Sequence, residues 1–234
     1  MDIIERKDSD MLRKTSLVAA IVATVFAFPA IAGGGIVTPH RIDEMFRGTS
    51  IDYSNVWAWW GTNQPGFADF AQGGGVLTVN VTAGAQPDFN VSGQTRCLAH
   101  GDFDAQVGFN LVTWPAQNGV WVSLMVGGTP FNVYRVSWQF EPSEAYGAYL
   151  PPVGTTVPAT GTTGTLRLTR AGDIFTAYYL SGRSWVPIIS GTGPTGDVPL
   201  TLAVFNISGA ATFAGPVTVA FDNFHVFADR IVCP

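Results

Sequence analysis

The sequence is poor in charge, and in lysine above all. Charged residues make up 12% of the 234 residues, and both lysines, Lys7 and Lys14, lie near the amino terminus. No run of basic residues occurs after them. Nucleic acids and anionic membrane surfaces are bound through clustered positive charge, so the composition argues against both as partners.

Several motifs of metal and catalytic sites are also missing. The sequence has no His/Cys spacing of a zinc site, no EF-hand loop, and no glycine-rich loop followed by the lysine of a phosphate site. Glutamate is scarce beyond residue 32, where only Glu44, Glu141 and Glu144 occur. A glycosidase needs two carboxylates beside the bond that it cleaves, so this scarcity disfavours hydrolysis. We expect no cofactor; the one alternative is Ca²⁺ held by oxygen ligands from Asp102, Asp104, Asp173 or Asp222.

The amino-terminal segment has the features of an export signal. Arg13 and Lys14 precede an apolar run over residues 17–31, and small residues follow at Ala32 and in three glycines. Signal peptidase recognises a basic start, an apolar centre and small residues before the cut. We predict a signal peptide over residues 1–32, because the apolar run is shorter than the ~20 residues of a membrane span.

Removal of that segment leaves residues 33–234, long enough to bury the core of one domain. Four basic and four acidic residues are lost with it, so the remaining chain has eight Arg, 13 acidic residues and a net charge of −5. Met1 and Met11 are both candidate start residues. Cys97 and Cys233 remain, and in an exported protein such a pair predicts a disulfide. We therefore expect a secreted protein, extracellular or periplasmic, with no membrane span after signal removal.

Beyond the signal, apolar and polar residues alternate with the period of β-strands. Short strands separated by turn residues favour an all-β sandwich or barrel. Asp222-Asn223 predicts a β-bulge, and residues 151–165 predict a long exposed loop, because they lack a packing face. The predicted strands lie at 77–82, 103–111, 120–126, 134–140, 165–170, 174–180, 184–189, 199–207 and 216–228.

Three segments resemble the concanavalin A-like lectin/glucanase domains, in particular the accessory modules found beside bacterial glycosidases. They are GDFD at 101–104, LRLTRAGDIFTAYYLSGRSW at 166–185 and FDNFHV at 221–226, and the resemblance spans about 95–228. It implies a jelly-roll β-sandwich of two curved antiparallel sheets, whose concave face often carries a sugar site. The Glu-x-Asp-x-x-Glu strand motif of related glucanases is absent. Since the family contains both enzymes and binding modules, the fold alone does not define an activity.

The strand alternation defines a candidate sugar-binding surface. If the apolar residues of the strands at 103–111, 120–126 and 134–140 face the core, their polar neighbours share the opposite face. An aromatic plate with amides and a cation is suited to sugar rings and hydroxyls. The proposed ligand-binding residues are Gln106, Asn110, Trp121, Arg135 and Gln139, accompanied by Ser123 and Ser137. The alternatives are an ordinary solvated face and a face covered by the loop predicted at residues 151–165.

The same reasoning applies to the tryptophans in Val56-Trp57-Ala58-Trp59-Trp60. Alternation places Trp57 and Trp59 on one side and Trp60 on the other, with packing at the end of the sandwich favoured over binding. Taken together, the sequence predicts a secreted, non-catalytic protein that binds an oligo- or polysaccharide. Two alternatives stay open, a cell-surface structural or adhesion domain and an enzyme, either a glycoside hydrolase or a polysaccharide lyase. A lyase could draw on His100, His225, Tyr178 or Arg135.

Overall fold

Strands account for all the regular structure of the described chain. The computed structural model describes residues 40–138, 140, 142–206 and 213–234, and within them it has fifteen strands and no helix. They are β1 (Arg41–Glu44), β2 (Trp57–Thr62), β3 (Ala68–Gly73), β4 (Val76–Val81), β5 (Asn90–Thr95), β6 (Leu98–Thr113), β7 (Val120–Val126), β8 (Asn132–Ser137), β9 (Glu144–Leu150), β10 (Val153–Pro158), β11 (Thr163–Ala171), β12 (Ile174–Ser181), β13 (Ser184–Thr192), β14 (Leu200–Asn206) and β15 (Val217–Val232).

The strands form two antiparallel sheets that pack face to face. The eight-stranded sheet has the order β13-β12-β11-β6-β15-β4-β3, and β1 also pairs with β15. The seven-stranded sheet has the order β10-β9-β8-β7-β14-β5-β2. Sequence neighbours are often separated in this arrangement, since β6 and β7 belong to different sheets. The predicted all-β jelly-roll sandwich is confirmed.

The core lies between the sheets and follows the predicted alternation on the longest strands. In β6 the side chains from Phe103 to Leu111 at every second position are at most 4% exposed. In β7 the four residues Val120, Val122, Leu124 and Val126 are fully buried. Burying one such side chain contributes about 1.5–3 kcal/mol, so these two strands anchor the sandwich.

The prediction of a long loop at residues 151–165 is wrong. Val153–Pro158 forms β10, which pairs with β9 at the edge of the seven-stranded sheet, and Thr163 already begins β11. An edge strand needs only one hydrogen-bonded neighbour, and most of β10 is exposed. Its Gly and Thr residues therefore carry no apolar alternation that the sequence could display.

The predicted disulfide between Cys97 and Cys233 is confirmed. It joins the chain just before β6 to the chain just after β15, where Leu98 and Val232 are already paired in register. The two cysteines are 136 residues apart in sequence. In the chain-entropy description, a cross-link over so long a loop restricts the unfolded chain by about 4–5 kcal/mol.

Some predictions fall on residues outside the described ranges. These are the signal peptide at residues 1–32, its start residue, and the candidate ligand residue Gln139. In the part of the chain that the structure describes, no helix has the length and apolarity of a membrane span.

Candidate functional site

The structure does not bring the predicted ligand residues to one surface. Gln106 and Asn110 lie on the outer face of the eight-stranded sheet, whereas Trp121 lies on the outer face of the seven-stranded sheet. Arg135 lies between the sheets and is 2% exposed. The prediction of a single face is therefore wrong, because β6 and β7 belong to different sheets.

The orientation of β8 was also predicted incorrectly. Arg135 is the register partner of Val122, and Val136 is the partner of Trp121. Paired residues share a face, so Arg135 points into the core with Val122, while Tyr134 and Val136 point outward. All six residues of β8 are buried. Alternation of polar and apolar residues therefore carries no information about the faces of this strand.

Arg135 takes part in a buried polar cluster. Its guanidinium forms an ion pair with Glu144, and Nη1 donates a 2.5 Å hydrogen bond to the carbonyl of Val136. Glu144 also accepts hydrogen bonds from Ser137 Oγ at 2.5 Å and from Trp114 Nε1 at 3.2 Å. Because its donors are directed at groups between the sheets, Arg135 acts in the fold and not as an exposed cation for a sugar.

Trp121 belongs to an aromatic cluster on the outer face of the seven-stranded sheet. Its ring centroid lies 4.1 Å from that of Tyr134, 5.0 Å from that of Trp138 and 5.6 Å from that of Phe205. Burial raises the pKa of Tyr134 to about 12. The described strands of this sheet contain one acidic residue, Glu144, and it faces the core. The described strands therefore supply no carboxylate for an acid–base mechanism on this outer face.

A pocket of ≈ 720 Å³ opens on the outer face of the eight-stranded sheet. Gln106 and Asn110 both line it, together with Asp222, Asn223 and His225 from β15. Two of the five predicted ligand residues thus meet at a concave site. Its other lining side chains include Thr163, Thr165 and Leu180.

A β-bulge puts Asp222 and His225 on the same face although they are three residues apart. Asp222 pairs with Gly108 and His225 pairs with Gln106, so β15 has one extra residue here. Asn223 has a left-handed backbone conformation, with φ 48°, which accommodates the extra residue. The next residue, Phe224, is fully buried. The predicted bulge is confirmed. Bulges are common beside functional sites, where they redirect side chains.

The Asp222 carboxylate lies against its neighbour across the sheet and is unpartnered within the described part of the chain. It lies over Gly108, where a Cβ atom would collide with it. Among the described residues, none forms a hydrogen bond or ion pair with this carboxylate. It therefore remains available to a water molecule or a ligand in the pocket.

His225 is held by a second carboxylate. Its Nδ1 lies 2.6 Å from Oδ1 of Asp43 on β1. A carboxylate at Nδ1 fixes the orientation of the ring and leaves Nε2 for another partner. Asp43 could not be identified from sequence reasoning, because its contact with His225 depends on the pairing of β1 with β15.

Arg167 is a further residue that sequence reasoning missed. It is the register partner of Gln106, and its guanidinium forms a bidentate pair with Asp104 at 2.9 and 2.6 Å. It also lies 5.1 Å from the ring of Tyr178 and 5.2 Å from that of Trp185. Its alternation with the buried Leu166 and Leu168 is the signal that places it outside. The charge of Arg167 is thus balanced by Asp104 beside the pocket.

The structure separates the other candidate sets. His100 contacts Asp197 at 2.6 Å, and its register partner on β15 is Arg230, so it does not lie beside His225 as a second lyase residue. Of the candidate calcium ligands, Asp102 accepts a hydrogen bond from Gly172 N at 2.6 Å, and Asp104 forms an ion pair with Arg167. Within the described ranges, no three His, Cys, Asp or Glu side chains come together as a metal site.

Comparison with known proteins connects this sandwich to solved structures. No protein-family model matches the sequence, and no curated protein matches it. The chain is similar to a β-glucanase of Bacillus licheniformis, with 14% identity over 83% of this chain and 100% of that one, at a TM-score of 0.56. The chain has the concanavalin A-like lectin/glucanase fold. The three sequence segments resemble domains of this fold, so the predicted fold is confirmed.

Two further structures with this concanavalin A-like fold carry names of glycan-degrading proteins. A family 16 glycosyl hydrolase protein of Mycobacterium smegmatis is 13% identical, covers 80% of this chain and 99% of its own, and has a TM-score of 0.54. An endo-acting O-glycanase of the human gut microbiota is 10% identical, covers 80% and 98%, and has a TM-score of 0.59. These neighbours contradict our prediction of a non-catalytic binding protein and favour the hydrolase alternative.

Proposed function

We propose that the protein is a secreted glycoside hydrolase that acts on a polysaccharide. The observation that carries the proposal is the pocket on the eight-stranded sheet. There Asp222, whose carboxylate bonds to no described residue, and His225, whose imidazole bonds to a carboxylate, line the same concavity. The fold is shared with proteins named as glucanases and glycosyl hydrolases, which supports this class of reaction. Secretion is supported by the features of residues 1–32 and by the disulfide.

The two groups suit complementary roles in hydrolysis. Asp222 acts as the general base that takes a proton from the attacking water. His225, oriented by Asp43, gives a proton to the glycosidic oxygen as its bond to the anomeric carbon breaks. Water supplies the new C–O bond, and the proton taken up by Asp222 balances the proton lost from His225. The arrangement departs from the usual pair of carboxylic groups, since an imidazole replaces one of them.

The remaining lining suits an uncharged sugar. Gln106, Asn110, Thr163 and Thr165 offer amide and hydroxyl groups for sugar hydroxyls. Asp222 is the one acidic side chain of the lining, and Arg167 beside it is already paired with Asp104. An acidic sugar would meet this carboxylate without a free cation, so we expect a neutral polysaccharide.

The test is incubation with a panel of neutral and acidic polysaccharides, followed by detection of new reducing ends. Loss of a positioned acid or base lowers the rate by about 10²–10⁴-fold, so Asp222→Asn should lower kcat/KM by that factor. Asp173→Asn, in the exposed turn between β11 and β12, is the matched control and should keep the wild-type rate. Products that absorb in the ultraviolet through a new double bond would reveal elimination by a lyase instead.

A second variant tests whether the position of the Asp222 carboxylate matters as well as its charge. Gly108→Ala keeps the carboxylate but displaces it, because the new Cβ collides with Asp222. It should lower kcat by an amount similar to Asp222→Asn. An active wild type whose rate is unchanged by both substitutions would overturn the assignment of the pocket, and absence of cleavage across the panel would overturn the function.

A further inference from the structure

Trp59 is the exposed member of the tryptophan cluster at residues 57–60. Trp57 is fully buried and Trp60 is 7% exposed, whereas Trp59 is 43% exposed. The prediction that Trp57 and Trp59 share a face is wrong, because the register shifts between them: Trp57 pairs with Thr95 and Trp59 already pairs with Gln94. The bulge sends both flanking indoles into the core and turns Trp59 outward.

A shallow pocket of ≈ 310 Å³ lies beside this indole. Its lining contains no charged residue and consists of Trp59, Gly61, Thr62, Asn63, Asn90 and Ser92. Gly61 has no side chain to occupy this space, and a Cβ atom there would meet no atom within 4 Å. The pocket therefore stays open at this position. Both strands that form it, β2 and β5, lie at one edge of the seven-stranded sheet, on the opposite side of the sandwich from the pocket of Asp222.

Ser92 is the feature that points to a ligand. The residue is 7% exposed, it lines the pocket, and its hydroxyl makes no hydrogen bond with any described residue. The hydroxyl is not among the buried polar atoms that lack a partner, so it is reached from the pocket and can bond to water or to a ligand. The side-chain amide of Asn90 likewise has no partner among the described residues. The site therefore presents two unused hydrogen-bonding groups next to an aromatic plate.

The frame around these groups is fixed. The Oδ1 atom of Asn63 accepts a hydrogen bond from the backbone N–H of Asn90 at 2.8 Å, and its Nδ2 donates to the carbonyl of Asp88 at 2.7 Å. On the same outer face, one strand closer to the middle of the sheet, Phe205 is the register partner of both Asn90 and Trp121 and stacks on the latter. Such a preformed site loses little entropy on binding.

We propose that this pocket binds a neutral pyranose unit of a polysaccharide, so that the protein holds its substrate at a second site away from the pocket of Asp222. The apolar face of the sugar would lie on the Trp59 indole, and the hydroxyls would bond to Ser92 and Asn90. The uncharged lining excludes recognition through an acidic or basic group. The proposal rests on the proposed function for its substrate class but not for catalysis.

The test is affinity electrophoresis through gels that contain soluble neutral polysaccharides, with the affinity measured by calorimetry. Trp59→Ala should weaken binding by about 10-fold, which corresponds to 1.4 kcal/mol. Gly61→Leu fills the pocket while leaving the Trp59 side chain in the protein, and it should weaken binding at least as much. Gly73→Leu, at a strand end in the other sheet where a Cβ atom also meets open space, is the matched control and should bind normally.

The outcomes separate this proposal from the proposed function. Asp222→Asn should lose cleavage and keep its retardation in the gel, whereas Trp59→Ala should lose retardation and still cleave short soluble oligosaccharides. Wild-type affinity in both Trp59→Ala and Gly61→Leu would overturn the second site, as would the absence of binding by the wild type to every gel. Unchanged urea midpoints would establish that the variants are folded.

Discussion

Removal of the Glu144 carboxylate should destabilise the fold strongly, because it leaves the buried cation of Arg135 without a counter-charge. Arg135 is 2% exposed, and its Nε already lacks a hydrogen-bond partner among the described residues. In Glu144→Ala, Ser137 Oγ and Trp114 Nε1 lose their acceptor as well. One substitution therefore leaves several buried donors unsatisfied.

The magnitude follows from the burial of each partner. Removing one member of a buried ion pair costs about 3–5 kcal/mol. The Glu144 side chain is 28% exposed, so water can partly solvate the group that remains, and we expect about 3 kcal/mol, near the lower end of that range. For a fold of this size such a loss lowers Tm by about 6–12 °C. Glu144→Gln keeps one acceptor and should lie between Glu144→Ala and the wild type.

Urea unfolding at neutral pH measures these differences, with the slope checked to establish that the transition keeps its cooperativity. The informative control is the double variant Arg135→Met with Glu144→Leu. It removes both charges together, and we expect it to be more stable than Glu144→Ala. A change below about 0.5 kcal/mol for Glu144→Ala, the range of ordinary surface substitutions, would refute the assignment of Arg135 to the interior.

Three further predictions concern stability. Burial raises the pKa of Tyr134 from its ordinary 10.0 to about 12, so the folded chain keeps a proton that the unfolded chain releases. The resulting stability is complete below pH ~10 and falls by about 2–3 kcal/mol as pH rises to about 12, a loss that Tyr134→Phe should remove in alkaline urea titrations. Reduction of the Cys97–Cys233 disulfide should cost about 2–5 kcal/mol, measured by unfolding with and without reductant. Gly93→Ala should cost about 1–3 kcal/mol in the same assay, since its Cβ would collide with the Trp60 indole.

Each of these has an outcome that contradicts it. If the free energy of unfolding of Tyr134→Phe falls as steeply at alkaline pH as that of the wild type, other groups cause the loss of stability. Equal midpoints for the oxidised and reduced protein would show that the cross-link does not restrict the unfolded chain. A Gly93→Ala variant as stable as the wild type would mean that Trp60 can move away, contrary to its close packing against this glycine.

The strands and the core were predictable where one face of a strand is buried and the other is exposed to solvent. In β6 and β7 the apolar residues from Phe103 to Leu111 and from Val120 to Val126 alternate with polar ones, and the structure buries the expected set. The bulge at Asp222-Asn223 was also visible, because a polar pair interrupts the apolar alternation there. In these segments, local pattern and tertiary packing agree.

The site was less predictable, for three physical reasons. Alternation failed in β8 because Tyr134 and Val136 pack under Trp121 on one side while Arg135 is buried on the other. It failed around Trp59 because a bulge shifts the register. Sequence order also conceals which strands are neighbours. The contact of His225 with Asp43 depends on a pairing between the first and last described strands.

The central position of β15 has a consequence for the order of assembly. This last described strand pairs with β6, β4 and β1, which have no other link to one another within the eight-stranded sheet. Until it docks, that sheet exists as separate fragments with open edges, and the bulge that carries Asp222 and His225 has no neighbours to define it. We therefore expect folding to be slow and to finish late, with the pocket as one of the last regions to form.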